Sequence, residues 1–332
     1  MLGDKSTMPD KTCCYQSKSG YSCKDAAVYG DLCYWHDSEH IKDADDIIQR
    51  LEDRALNGEA MHGFSLRHTQ LSGINLVNKG NKNGFIMHDC DFYHADLSQA
   101  HLFGLQLQGS SLMKANLSAA NLHRANISRC NLLGVNLQDA KLEYLQWGKA
   151  LLQEQQAEQL DAQQSSGQRQ DLYQQAEEIY RKLRLENERQ GLPDTAGLFF
   201  LREMRMRRLQ KPLWSLPRLI SKAVDVFCGY GEKPLRVVSF STGLILVCAV
   251  AYFLSGLNHN GDILVFHSEY GFLNNIYIFL DCLYFSVITF TTLGYGNIVP
   301  TEFSRLIAAL EAFCGSFILA LFVVVFVKKM TR

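Results

Sequence analysis

The sequence predicts a multidomain membrane protein, in which a polar N-terminal two thirds precedes a hydrophobic C-terminal third. Three observations carry this prediction. Residues 61–146 repeat with a period of five, which fits neither an α-helix nor a flat β-strand. Residues 237–257 and 306–327 are each apolar and long enough to cross a bilayer. Residues 289–296, between these spans, contain two glycines, and irregular backbone at membrane depth is tolerated only where it lines a cavity or is buried in protein.

The overall composition excludes several classes of protein. The chain of 332 residues carries 33 basic and 34 acidic side chains, so a generally basic surface for nucleic acid is not predicted. Residues 1–31 contain no apolar core of the length that a signal peptide needs. The ten cysteines cluster only near the start, which favours reduced cytosolic thiols with one metal site over a secreted disulfide framework. No constellation of catalytic residues is recognised, and we expect that the protein is not an enzyme.

Residues 1–45 hold cysteines and a histidine with the spacing of a small zinc knuckle. Such a short segment has too little apolar mass for a core of its own, so a bound metal would contribute its folding energy directly. Three cysteines and a histidine supply the ligand chemistry of structural Zn2+. The predicted ligands are Cys14, Cys23, Cys33 and His36, with Cys13 as an alternative first ligand. A set of scattered reduced cysteines is the competing interpretation.

The repeat of five residues places a large apolar residue at the centre of each unit and a small residue two positions before it. The units Ala115-Asn116-Leu117 and Ala120-Asn121-Leu122 show this pattern. It is the signature of the pentapeptide-repeat family, which residues 61–146 resemble. The resemblance implies a cytosolic, right-handed quadrilateral β-helix with the central and small residues stacked inside. Lys79–Gly84 breaks the period and is expected to form a protruding loop.

Two further segments connect the repeat array to the apolar spans. Residues 147–211 predict a polar linker followed by an αα-hairpin of tetratricopeptide type. One hairpin cannot bury both of its faces, so we expect it to pack on a partner or on another subunit. Residues 213–230 predict an amphipathic helix with Ser215 as its N-cap and Pro217 in its first turn. Its position before a span favours a helix on the membrane surface, with Trp214 at headgroup level, over an amphipathic core helix.

The charge pattern of residues 235–330 predicts the orientation of the two spans. No Lys or Arg occurs between Arg236 and Arg305, whereas basic residues crowd the outer flanks of the spans. By the positive-inside rule both termini are cytoplasmic, and the loop between the spans re-enters the bilayer from outside. We therefore expect a multi-pass protein of the cell (inner) membrane, embedded in the lipid bilayer.

The loop between the spans carries Thr292-Leu293-Gly294-Tyr295-Gly296, preceded by an apolar run and followed by Asn297-Ile298-Val299-Pro300. Residues 280–300 thereby resemble the pore helix, selectivity filter and exit of two-span potassium channels. The resemblance implies that carbonyl oxygens replace the hydration shell of K+, and that one filter copy per chain requires an all-α, two-span homotetrameric pore. The implied K+ ligands are Thr292, Leu293, Gly294, Tyr295 and Gly296. Leu293 stands where valine is commoner in the family, and Asn297 where aspartate is commoner.

The second span, residues 306–327, resembles the inner helix of the same channels. Gly315 falls at the position of the hinge glycine of that family. Helical spacing from Gly315 then places Ser316, Leu319, Ala320 and Val323 on the lining of the cavity. Glu311 is the only acidic or basic residue in either span, and burying it in a membrane is costly. Helical geometry turns it about 100° from the cavity stripe, which favours a buried coupling acid hydrogen-bonded to Ser286 or Thr291 over a charge facing the ions.

These interpretations combine into one leading hypothesis and two alternatives. The leading hypothesis is a homotetrameric potassium channel whose gate is coupled to its cytosolic domains, with an unidentified stimulus such as a cytosolic protein or a small molecule. A weakly selective cation channel is the first alternative, since the changes at Leu293 and Asn297 could loosen the filter. The second alternative is a membrane-anchored adaptor, in which the repeat array binds a protein and the pore is vestigial.

Overall fold

The computed structural model describes residues 11–17, 20–81, 84–160, 166–267 and 271–330. The chain divides into two compact units, Met1–Lys211 and Pro212–Arg332. In the first unit, one continuous apolar core runs from the cysteine-rich segment through the repeat array to the helices that follow it. The second unit has separate cores of its own, built from the apolar helices.

The cysteine-rich segment packs directly on the first coil of the array. Its backbone is held by isolated antiparallel bridges, which pair Thr12 with Ala26, Gln16 with Ser22 and Tyr29 with Leu32. Helix α1 (Ile47–Leu56) follows and buries a stripe at helical spacing, formed by Ile47, Leu51 and Ala55. Trp35 stacks on Phe64 with ring centroids 5.0 Å apart. The Ser65 N–H donates to the Trp35 carbonyl at 2.8 Å, so the contact is both apolar and hydrogen-bonded.

The repeat array forms coils that stack in parallel. Between residues 86 and 146, the bridges join residues that are 20 positions apart. The central and small residues of the units are almost fully buried between the coils. In the units that carry Asn or Asp before the central residue the turn has a local cause, because this side chain accepts a hydrogen bond from the backbone two positions further on. Asn116 Oδ1 accepts in this way from the Ser118 N–H at 3.2 Å, and Asn126 Oδ1 from the Ser128 N–H at 3.0 Å.

One coil of the array is longer than the others. The bridges that pair Ser65 with Asp91 and Gln70 with Asp96 span 26 positions, six more than elsewhere. The six residues of Lys79–Gly84, which break the period in the sequence, account for this difference. Two of these six, at positions 82 and 83, lie outside the described residues.

Three helices complete the first unit: α2 (Leu152–Gln159), α3 (Ser166–Arg189) and α4 (Pro193–Leu209). Helices α3 and α4 form the predicted hairpin, and Gly191 has a left-handed φ of 69° in the turn between them. The second face of the hairpin packs on the end of the array and on α2. Gln190 Nε2 donates to the Ala140 carbonyl at 2.5 Å, and the Leu151 N–H donates to the Tyr180 hydroxyl at 3.3 Å. The array and α2 of the same chain thus cover the face of the hairpin that we expected to pack on a partner or on another subunit.

The second unit contains α-helices and a three-stranded antiparallel sheet in the order β2-β1-β3. In chain order these elements are α5 (Leu216–Cys228), α6 (Pro234–Ser255), β1 (Leu257–His259), β2 (Asp262–Leu264), α7 (Phe272–Phe290), β3 (Ile298–Pro300) and α8 (Ser304–Met330). Among the described residues, α6, α7 and α8 are each long and apolar enough to cross a membrane. Helices α6 and α8 correspond to the spans expected at 237–257 and 306–327. Helix α7 packs against both of them.

Two helices of this unit differ from the sequence expectations in detail. Helix α7 begins at Phe272 and is longer than the pore helix expected within 280–300. The helix expected within 213–230 is α5, and of its residues only Cys228 is fully buried. Trp214, just before α5, is 90 % exposed. These exposures count against α5 as an amphipathic core helix of this chain.

Candidate functional sites

Three cysteines and one histidine converge in the cysteine-rich segment. The candidate ligand atoms of Cys13, Cys23, Cys33 and His36 all lie within 4.8 Å of one another, and all four residues are buried. His36 Nδ1 lies 3.5 Å from Cys13 Sγ and 3.0 Å from Cys33 Sγ. The Sγ atoms of Cys23 and Cys33 are 3.9 Å apart. Zn–S bonds of about 2.3 Å in a tetrahedron put two sulfurs about 3.8 Å apart, so the cluster has the dimensions of a structural zinc site.

The cluster contains Cys13, whereas Cys14, the first ligand that the sequence spacing led us to predict, lies outside it. Cys13 is buried, whereas Cys14 is exposed. Thr12, just before them, forms an antiparallel bridge with Ala26, and successive side chains of a strand-like chain point to opposite faces. The Cys13 N–H donates to the Asp25 carbonyl and the Cys14 N–H to the Asp31 carbonyl, which fixes the face that each side chain takes. Sequence spacing alone cannot distinguish two adjacent cysteines.

The surroundings of His36 suit it to bind a metal through Nδ1. Its Nε2–H donates to the His62 carbonyl at 2.8 Å, which leaves the lone pair of Nδ1 directed at the sulfurs. Burial lowers the pKa of His36, so the ring stays neutral. Burial also raises the pKa of the Cys23 thiol to about 12. A cation bound among these groups would favour the thiolate forms, and the residues present therefore fit a zinc ion.

A buried lysine, which the sequence analysis did not predict, supports the segment that follows His36. Lys42 is fully buried and donates to the carbonyls of Asp37 and His40, the second at 2.8 Å. Burial lowers the pKa of Lys42. These bonds close the chain into a compact loop directly after His36.

The run Thr292–Gly296 follows α7 and adopts unusual backbone. The φ angles of Thr292, Gly294 and Gly296 are 58°, 55° and 78°, so every second residue is left-handed. For Thr292, a β-branched residue, such a φ is rare and strained, and strain of this kind clusters at functional sites. The Leu293 N–H donates to the Ile288 carbonyl at 2.9 Å, which anchors the run to the last turn of α7.

The side chains of this run are exposed in the single chain. Leu293 and Tyr295 are 61 % and 69 % exposed. The Tyr284 hydroxyl of α7 lies 3.5 Å from Asn297 Oδ1, just beyond the run. Phe290 at the end of α7 is buried, so the exposure begins with the run itself.

Glu311 lies at the meeting point of three helices. It is 2 % exposed, and its carboxyl group contacts both other apolar helices. Ser286 of α7 lies 2.5 Å from Oε1, and the Tyr252 hydroxyl of α6 donates to Oε2 at 2.6 Å. The hydrogen bond expected with Ser286 is therefore present, whereas Thr291 bonds the Val287 carbonyl of its own helix at 2.7 Å. Tyr252 was missed, because no spacing in the sequence relates it to Glu311.

The two sides of α8 differ in burial. Glu311, Gly315 and Ile318 are buried against the rest of the unit. The side expected to line a cavity is exposed in the single chain and carries Ser316, Leu319, Ala320 and Val323. Gly315 lies within an uninterrupted helix, and its backbone closely approaches the carbonyl of Phe290 at the end of α7.

Comparison with known families identifies the two main parts of the chain. Residues 259–332 match the family described as ion channel. Residues 87–118 and 115–146 match pentapeptide repeats, with eight copies. The chain therefore carries an ion-channel domain and a pentapeptide-repeat array. Together with the three apolar helices, the first match defines a membrane protein that contains a channel domain.

Several solved structures that resemble the chain are described as pentapeptide-repeat proteins. HetL, which is involved in heterocyst differentiation regulation in the cyanobacterium Nostoc, is 26 % identical with a TM-score of 0.18, and the match covers 26 % of this chain and 39 % of HetL. A thylakoid lumen protein of Arabidopsis thaliana is 27 % identical with a TM-score of 0.14, over 28 % of this chain and 58 % of that one. The chain thus spans less than two thirds of the length of each of these two relatives. No curated protein matches the chain.

Proposed function

We propose that the protein is a homotetrameric potassium channel and not an enzyme. One observation carries the proposal: the run Thr292–Gly296, directly after an apolar helix, has left-handed backbone at every second residue. Such an alternation allows successive carbonyls to face one axis, as a row of K+ ligands requires. The ion-channel match over residues 259–332 includes this run.

The path of the chain supports two spans with a re-entrant loop. Strand β3 pairs antiparallel with β1, so that Val299 is opposite Asn258. Because α6 ends just before β1 and α8 begins just after β3, the chain is back at the same end of both helices by residue 298. If α7 crossed the bilayer, β3 would lie on the opposite side from β1, and the two strands could not pair. We infer that α6 and α8 are the spans and that α7 is the pore helix.

The charges that flank the spans support a cytoplasmic location for both termini. Arg236 lies in the first turn of α6, and Lys328 and Lys329 lie in the last turn of α8. Antiparallel passage of α6 and α8 puts these ends on the same side of the bilayer. By the positive-inside rule this side is cytoplasmic, as expected for a protein of the inner membrane.

A tetramer would account for the exposed side chains around the run. One chain supplies one copy of Thr292–Gly296, and a ring of carbonyls around an axis needs several copies. Four copies would place Leu293 and Tyr295 between subunits rather than in solvent. They would also enclose the exposed cavity-lining residues of α8, namely Ser316, Leu319, Ala320 and Val323.

Glu311 has the hydrogen-bonding pattern of a neutral acid that links three helices. The Ser286 hydroxyl has one proton, and its oxygen lies 2.9 Å from the Ile245 carbonyl, which can only accept. If the Ser286 hydroxyl donates this proton to the Ile245 carbonyl, the proton in the hydrogen bond between Ser286 and Glu311 must come from the carboxyl group of Glu311, which is then protonated. Tyr252 then donates to the other carboxyl oxygen, and every polar group at this point is satisfied. We propose that this tie couples α8 to the pore helix.

The first unit supports a rigid cytosolic scaffold. The bridge offset of 20 residues equals four units of five, as a right-handed quadrilateral β-helix requires. A structural zinc ion at Cys13, Cys23, Cys33 and His36 would fix the segment that covers its first coil. A cytosolic protein or small molecule that binds this unit would act on the gate through the chain connection into α5.

Current through reconstituted tetramers tests the proposal. With unequal K+ concentrations on the two sides of a planar bilayer and Na+ as the replacing cation, we expect the wild-type reversal potential to lie close to the equilibrium potential of K+. Gly294→Ala should abolish this selectivity, because its φ of 55° strains any L side chain. Gly243→Ala in α6 is the matched control, since a Cβ there meets no atom within 4 Å.

Other outcomes of this recording favour the alternatives. Equal permeability to K+ and Na+ in the wild type would favour the weakly selective cation channel. Absence of any current, under perfusion of the cytoplasmic side with cell extract, would favour the adaptor. If Gly294→Ala tetramers still selected K+, the assignment of the filter would be wrong.

A further inference from the structure

The backbone of Gly315 touches the backbone at the C-terminal end of α7. A Cβ atom at this position would lie 2.2 Å from the carbonyl oxygen of Phe290 and 3.0 Å from its carbonyl carbon. Both are main-chain atoms, so no side chain can rotate away to make room. Carbon–oxygen contacts between packed helices are about 3.3–3.6 Å, so a Cβ here demands a displacement of about 1 Å.

The contacted residue leads directly into the run that we propose as the filter. Phe290 is the last residue of α7. The N–H groups of Leu293 and Gly294 both point back to the carbonyl of Ile288, at 2.9 and 3.4 Å. The inner end of the run is therefore built on the last turn of α7, and a displacement of that turn displaces Thr292 with it.

A second contact fixes the orientation of the two helices at the same place. Glu311 precedes Gly315 by one turn of α8, and its partner Ser286 precedes Phe290 by one turn of α7. Two contacts one turn apart define both the distance and the rotation between the helices. The carboxyl contact can adjust through side-chain torsions, whereas the Gly315 contact cannot. Gly315 thus sets the distance of closest approach.

We propose that Gly315 is a positioning residue for the filter, because its missing side chain allows α8 to support the carbonyl of Phe290. This inference rests on the proposed channel function. It differs from the hinge role that the family resemblance implies, which requires only that the backbone of α8 can bend. A hinge glycine influences the open probability, while a glycine that supports the filter also influences which ions pass.

The test compares Gly315→Ala with Gly243→Ala, which adds the same methyl group to a helical glycine in open space. Permeability to K+ relative to Na+, unitary conductance and open probability are measured for both in planar bilayers. We expect Gly315→Ala to lower the permeability ratio by about tenfold or more, since a misplacement of about 1 Å is large for ion ligands. Gly243→Ala should match the wild type in all three quantities.

A linked chain of four copies, only one of which carries Gly315→Ala, removes the risk that the variant fails to assemble. The same loss of selectivity, smaller in size, is expected there. Unchanged selectivity and conductance with an altered open probability, in either format, would overturn the positioning role and leave a hinge. A wild-type protein that passes no K+ would instead refute the proposed function itself.

Discussion

At the scale of single residues, Cys13 and Cys14 are chemically identical neighbours in opposite surroundings. Cys13 Sγ lies 3.5 Å from His36 Nδ1 inside the cluster, whereas Cys14 is exposed. The two residues form a natural matched pair, because substitution of either removes one thiol from the same segment. Only one of them should affect a bound metal.

We expect Cys13→Ser to lose zinc and Cys14→Ser to retain it. A serine hydroxyl is a poor ligand for zinc, and the remaining two thiols and imidazole leave the tetrahedral site incomplete. Metal analysis of the purified full-length protein should give about one zinc per chain for the wild type and for Cys14→Ser. Loss of zinc from Cys14→Ser with retention in Cys13→Ser would show that the cluster is assigned to the wrong cysteine.

Glu311 offers a second test at the same scale. Glu311→Gln keeps one donor for Ser286 and one acceptor for Tyr252, which reproduces the pattern of a neutral carboxyl. It should conduct almost as the wild type does. Glu311→Val removes both bonds and should change the open probability without a change in unitary conductance, because the side chain faces the pore helix. Single-channel recording measures both quantities, and a sharp fall in the conductance of Glu311→Gln would mean that an ionised carboxylate faces the ions.

Among the structural elements, the stacked coils of the array depend on an apolar interior. Leu122 is fully buried and sits at the centre of its unit, while Ala119 is exposed, with a φ of 56°. Leu122→Asp should destabilise the first unit by several kcal/mol, since it buries an unpaired charge. Ala119→Asp should be close to neutral, because Asp tolerates left-handed backbone. Thermal unfolding of the full-length protein compares them, and equal melting profiles would contradict the inward orientation of the central residues.

The end of α8 is joined to the corner between α5 and α6. Lys328 Nζ lies 2.7 Å from Glu232 Oε1, and the Glu232 side chain is only 5 % exposed. The corner is also tied back to α5, because the Tyr230 hydroxyl lies 2.7 Å from the Ser221 hydroxyl. An ion pair with one buried partner can therefore transmit a movement of α5 to the inner helix.

Breaking this pair should change gating. Lys328→Met and Glu232→Gln should shift the open probability in the same direction, by an amount equivalent to about 1–3 kcal/mol. The control is Lys329→Met, which removes the same charge at the next residue, an exposed position. The double exchange Lys328→Glu with Glu232→Lys should return the open probability toward that of the wild type. If the single substitutions shift it in opposite directions, or if Lys329→Met has the same effect, the pair does not transmit movement.

For the whole molecule, the periodic features could be predicted from the sequence, whereas the long-range contacts could not. The repeat of five and the two spans are visible because each residue's role depends on its near neighbours. The contact of Glu311 with Tyr252 joins residues 59 positions apart, and no local pattern encodes it. The same holds for Gly315, because its partner is a main-chain carbonyl and does not depend on which side chains α7 carries. The choice between Cys13 and Cys14 depended on backbone bonds to Asp25 and Asp31 that spacing cannot show.

The division of the chain into two units predicts how removal of a metal should act. The cluster of Cys13, Cys23, Cys33 and His36 belongs to the same continuous core as the array and the hairpin. Structural zinc contributes its binding free energy to folding, so chelation should lower the melting temperature of Met1–Lys211 as a whole. The cores of Pro212–Arg332 contain none of these residues. Selectivity for K+, read from reversal potentials before and after chelation, should therefore stay the same while the open probability changes. Loss of selectivity on chelation, restored by added zinc, would mean that the metal acts on the filter and that the second unit does not determine selectivity by itself.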